Sequence, residues 1–147
     1  MAHTINITKI YDAPIENVFD AWTQPDQLKA WHAPGPLSTP DASVDLSVGG
    51  KYHITMQEPG EGEQHTAAGF FKEIEKPNKI VFTWTWVGAP PWAQDSVVTV
   101  LLKELEANKT ELQLTHELLA DEEQVASHAE GWEGVLDKLD GFLATKD

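Results

Sequence analysis

From Glu122 to Thr145 the chain can be wound into one helix with a single apolar stripe. At 100° per residue Val125, His128, Trp132, Val135, Leu136, Leu139 and Leu143 fall together, with Phe142 at the edge. The ends are marked as well: Asp121 is placed to cap, Gln124 follows three residues on as in a capping box, acids fill the first turn, and Lys146 lies near the end. Such a helix would be about 36 Å long at 1.5 Å per residue. A stripe of that length needs an equally long apolar surface to cover it.

The preceding residues supply that surface as strands. Residues His3 to Tyr11 alternate, with Ile5, Ile7 and Tyr11 on one face. Pro14 suits the first turn of a short helix in which Ile15, Val18, Phe19 and Trp22 share a stripe. Pro25 opens a second short helix carrying Leu28 and Trp31, and APGP with Pro40 then imposes a loop. Beyond Val44 and Leu46, the pair Gly49-Gly50 signals a turn, and Tyr52, Ile54 and Met56 alternate with polar residues.

After the polar hairpin loop EPGEGEQ, the segments GFFKEIE and IVFTWTWV read as strands, the second with Ile80, Phe82, Trp84 and Trp86 on one face. VGAPPWAQD is too rich in proline for a central strand and is expected as a loop with Trp92 at its tip. Two long strands follow, near Ser96 to Leu105 and Glu111 to Glu117. The expected class is α+β: an antiparallel sheet built from sequential strands, packed on the C-terminal helix, as a single domain over residues 1–147.

Composition narrows the partners. Ten lysines face 24 acids, a formal charge of −14, and arginine is absent. That field repels phosphate backbones and anionic lipid, so neither nucleic acid nor a membrane is expected as a partner. Cysteine is absent too, which excludes disulfides and thiolate chemistry. The opening MAHTINITKIYDAP has no basic segment followed by an apolar run, so a cytoplasmic protein is expected, as a monomer or weak homodimer.

The stretches YDAPIENVFDAWTQPDQLKAW, GGKY, GFFKEIEKPNKIVFTWTW, LTHE and HAEGWEGVLDKLDGFL together resemble the family of activator of Hsp90 ATPase homologue 1-like proteins, within the START-like, Bet v 1-like helix-grip superfamily. The resemblance implies a curved seven-stranded antiparallel sheet wrapped around the C-terminal helix, two short helices after the first strand, and a cavity between sheet and helix. It further implies a small apolar or amphipathic ligand in that cavity. Some members of the superfamily are cyclases, dehydratases or hydrolases. The eukaryotic relatives bind a chaperone instead, alongside a second domain that a 147-residue chain would not hold.

Within THELLADEEQVASHAEGW, His116 shares a strand parity with Leu112 and Leu114, and His128 lies on the helix stripe, so both are expected to point inward and to be neighbours. HELLA begins like the HExxH zinc motif but ends in alanine, and no spacing singles out His116, His128 and Glu117 as ligands; neither a metal nor a cofactor is expected. Three readings stay open for the two histidines: satisfied core groups, polar contacts to a ligand, or a general acid/base. Trp31, Phe82, Trp84, Trp86 and Trp132 are expected to line the cavity with them, and Trp92 either to cover its mouth or to anchor a surface loop. Gly131, beside the stripe, is expected to allow close approach of helix and sheet.

Overall fold

The computed structural model describes residues 4–33, 37–60, 62–88, 96–119 and 122–145. The chain runs through β1 (Ile5–Tyr11), α1 (Ile15–Thr23), α2 (Pro25–Trp31), β2 (Ser38–Val44), β3 (Lys51–Gln57), β4 (Gln64–Glu75), β5 (Lys79–Trp86), β6 (Ser96–Glu106), β7 (Lys109–Glu117) and α3 (Glu122–Ala144). The strands form one seven-stranded sheet in the order β1-β7-β6-β5-β4-β3-β2, every pair antiparallel. This is the expected α+β helix-grip arrangement. Sequential hairpins carry the chain from β2 to β7, and β1 pairs back on β7, so β1 and β2 form the two edges.

The stripe of α3 meets the sheet as its periodicity requires. Trp132, Val135, Leu136, Leu139 and Leu143 are buried in one core with Leu112, Leu114, Val98 and Val100 from the strands. Each fully buried aliphatic side chain here contributes roughly 1.5–3 kcal/mol. Polar ties fix the register of the helix: the Tyr11 hydroxyl donates to Leu136 O at 3.0 Å, and Lys138 Nζ donates to Leu37 O at 2.8 Å.

Three details differ from expectation. Pro40, expected in a loop, lies within β2; β2 is an edge strand with a register shift between Ser38 and Asp41, a setting in which a missing N–H costs no ladder bond. β4 begins at Gln64, ahead of the GFFKEIE segment, because its first residues pair with β3 from Gln57 onward. Gly131 makes no close approach: a Cβ built on it would meet nothing within 4 Å. The expected cap Asp121, Lys146 and Trp92 lie outside the described residues.

One glycine does require its missing side chain. A Cβ on Gly69 would stand 2.2 Å from Thr83 O. The bare backbone instead lets the hydroxyl of Tyr52, paired across from Gly69, donate to that same carbonyl. Phe70 N donates to Thr83 Oγ1 at 3.0 Å alongside it. These bonds lock β3, β4 and β5 together immediately before Trp84.

Candidate functional site

A chamber of about 280 Å³ lies between the inner face of β3 to β5 and the first half of α3. Period-two alternation along β5 sends Trp84 and Trp86 to the same side. From α3, His128, Gly131, Trp132 and Val135 follow one another at i, i+3, i+4 and i+7, a single helical face turned to the chamber. Met56 of β3, Leu37 ahead of β2, and His32 at the end of α2 add to the wall, with His65, Gln124 and Ser127 around them. Gly131 therefore contributes open space rather than close packing.

The two histidines singled out by the sequence are neighbours, edge to face with ring centroids 5.1 Å apart. Their hydrogen bonds define both tautomers. An indole N–H can only donate, so His116 Nδ1, which receives Trp132 Nε1–H at 3.0 Å, carries no proton. Its proton is on Nε2 and is donated to Ser96 Oγ at 2.8 Å, and the Ser96 hydroxyl donates in turn to Trp84 O at 2.8 Å. His128 is the mirror case: Nε2 receives Trp86 Nε1–H at 2.9 Å, and Nδ1–H donates to Gln124 O at 2.8 Å.

All four ring nitrogens are thus engaged, with both imidazoles neutral. Burial pushes the His116 pKa down to about 3, aided by the neighbouring His128, and burial also lowers that of His128. Neither ring has a free lone pair for a metal ion or for accepting a substrate proton. Glu117, on the opposite parity of β7, is exposed. Among the described residues Glu58, Glu63 and His65 bring three possible ligand atoms within 4.8 Å of one another at the β3–β4 turn, but His65 Nε2 and Glu58 Oε2 already face each other at 2.8 Å.

His32 is the site residue that periodicity does not reveal. It follows the last turn of α2, where its N–H donates to Leu28 O at 2.9 Å and its carbonyl accepts from Thr39 Oγ1 at 2.9 Å. Its ring is 1% exposed and lies among four indoles, with centroids 5.0 Å from Trp31, 5.6 Å from Trp132, 5.7 Å from Trp22 and 6.0 Å from Trp84. Neither ring nitrogen has a hydrogen-bond partner among the described residues, and the same holds for Trp84 Nε1 and Trp22 Nε1. Burial pushes the His32 pKa down to about 4.

The other expected wall residues are distributed as follows. His116 is fully buried and stands behind the wall, holding Trp132. Trp31 is packed against Trp22 with its Nε1–H donated to Ala21 O at 3.0 Å. Phe82 lines a second, much smaller cavity of about 20 Å³ together with Tyr52, Phe71 and Trp22, and His32 forms a wall of both cavities.

A family model described as activator of Hsp90 ATPase homolog 1-like protein matches residues 12–144. Among solved structures, a protein from Chromobacterium violaceum is similar with a TM-score of 0.85 at 24% identity, over 97% of this chain and 99% of the other. The AHSA1 protein from Silicibacter pomeroyi is similar with a TM-score of 0.82 at 25% identity, over 96% and 97% of the two chains. A protein from Arthrobacter aurescens is similar with a TM-score of 0.83 at 26% identity, over 99% and 88%. No curated protein matches the sequence significantly.

Proposed function

The chain belongs to the family of activator of Hsp90 ATPase homolog 1-like proteins, and from that membership we propose that it binds a small apolar or amphipathic molecule in the chamber between β5 and α3. The observation that carries this reading is the chamber itself: about 280 Å³, walled by indole rings and by Leu37, Met56 and Val135. Ligand sites combine such apolar walls with a few directed polar groups. The volume is about twice the ~150 Å³ cavity that accepts a benzene ring, which suits a body of one or two rings.

Binding is favoured over acid/base catalysis by the state of the histidines. A general base needs a lone pair within reach of the proton it removes and a pKa near the working pH. His116 and His128 have each committed that lone pair to an indole N–H, His65 Nε2 faces Glu58 Oε2 at 2.8 Å, and burial holds the pKa of His32, whose ring nitrogens have no partner among the described residues, down at about 4.

The family description also supports a second reading, docking to a chaperone through the exterior. The two separate experimentally. Native and denaturing mass spectra of freshly purified protein should differ by the mass of a released organic molecule if the chamber is a ligand site. Binding to an Hsp90 chaperone that persists after the chamber is filled by substitution would support the second reading instead. No helix among the described residues is long and apolar enough to cross a membrane.

A further inference from the structure

The wall of the chamber changes character along its length. Trp84, Trp132, Met56 and His32 are each 4% exposed or less and form its floor. Ser127 is exposed, Gln124 is half-buried, and the side chain of His65 is 42% exposed. These three mark a mouth between the start of β4 and the first two turns of α3. No lysine or carboxylate belongs to the wall, so the charge that an entering molecule meets is set by what brackets this mouth.

Both sides of the mouth carry acids. On the sheet side, Glu58 Oε2 stands 2.8 Å from His65 Nε2, and Glu63 brings a carboxylate oxygen within 4.8 Å of both groups. Two carboxylates outnumber the single imidazole whether or not it is protonated. On the helix side, the exposed Glu122 and Glu123 directly precede Gln124. The N-terminus of α3 offers a partial positive charge of about half a unit, which these two full negative charges exceed.

The balancing cation is elsewhere. Lys138 Nζ donates to the carbonyl of the wall residue Leu37 at 2.8 Å, but it lies 14 residues beyond Gln124, about 21 Å along α3. The field at the mouth is therefore negative, in keeping with a chain charge of −14.

We infer that the chamber takes a cationic amphiphile, a body of one or two rings bearing a protonated amine, with the rings on the indole floor and the amine at the acidic mouth. An ammonium group placed there keeps its water while gaining the attraction of Glu58 and Glu63, whereas a carboxylate in the same place meets like charge. The inference rests on the proposed role of the chamber as a ligand site, and adds the charge class of the ligand and the direction in which it lies.

The test uses three probes built on the same ring system and substituted at the same position: naphthylmethylamine, methylnaphthalene and naphthoate. Each is titrated into the full chain near neutral pH, and into the double variant Glu58→Gln, Glu63→Gln. The amine is expected to bind about fivefold more tightly than methylnaphthalene at low salt, and naphthoate more weakly than either. The double variant is expected to cut the ratio of amine to methylnaphthalene affinity by at least half.

Two measurements on the unaltered chain complete it. The advantage of the amine should shrink as salt rises from about 0.01 M to about 1 M, where the screening length falls from about 30 Å to about 3 Å. The amine should also displace bound methylnaphthalene, as two occupants of one chamber must. An amine that binds without displacing methylnaphthalene, a preference for naphthoate, or a ratio that neither salt nor the double variant moves overturns the selection of a cation while leaving the chamber a ligand site. Failure of all three probes to bind overturns both.

Discussion

His116 and His128 stand edge to face at 5.1 Å, yet each closes its hydrogen bonds on a different indole, Trp132 for the first and Trp86 for the second. The pair thereby fixes two walls of the chamber, one from the sheet and one from α3. This accounts for two inward histidines that stay uncharged, His116 behind the chamber wall and His128 within it.

The bond from Trp132 to His116 is the more deeply buried of the two. Trp132→Phe keeps a ring in place but leaves His116 Nδ1 unpaired at 0% exposure. Urea unfolding should show a loss of about 1–3 kcal/mol. Trp86→Phe should cost less than Trp132→Phe, because His128 is only partly buried and water can replace the lost donor.

Acid should destabilise the fold through its buried imidazoles. Burial places the His32 pKa at about 4 and that of His116 at about 3, below the ordinary value of 6.5. Below that ordinary value the unfolded chain therefore binds more protons than the folded one, and stability falls as the pH falls. The loss should begin near pH 6.5, approach about 1.4 kcal/mol per pH unit for each of the two histidines, and level off for His32 near pH 4. A pH series of denaturant melts checks this, and His32→Phe should flatten the slope between pH 6 and 4.

Leu118 separates β7 from α3 and has a φ of +63°, the left-handed region that side chains with a Cβ disfavour. It is 68% exposed, so little packing is lost on its removal. Leu118→Gly should raise stability by about 0.5–1 kcal/mol in a thermal melt.

Gly131 sits within a helix beside open space. Gly131→Ala should stabilise the protein by about 1 kcal/mol, the helix-propensity difference with no steric charge against it. A destabilised alanine variant would show that the helix face is tighter than the structure has it.

The long-range plan of the molecule was legible because it rests on two periodicities. The stripe of α3 and the alternation of Trp84 with Trp86 define inward faces, and a short connector then makes neighbours of His116 and His128. His32 was not legible, since it follows the last turn of α2 and belongs to no periodic face. Nor does the sequence tell which indole N–H is spent. Trp31 and Trp84 both read as inward aromatics, but Trp31 donates to Ala21 O whereas Trp84 has no partner among the described residues. Pro40 reads as a loop residue unless its strand is known to be an edge, a property of the sheet order rather than of the local sequence.

The most direct test of the ligand chamber is a titration of methylnaphthalene into the unaltered protein and into Gly131→Phe, whose new ring would enter the open space beside α3. Saturable binding to the unaltered protein, lost in a Gly131→Phe variant that melts no lower, is the predicted result. Equal binding to both proteins, or none to the unaltered one, would contradict it.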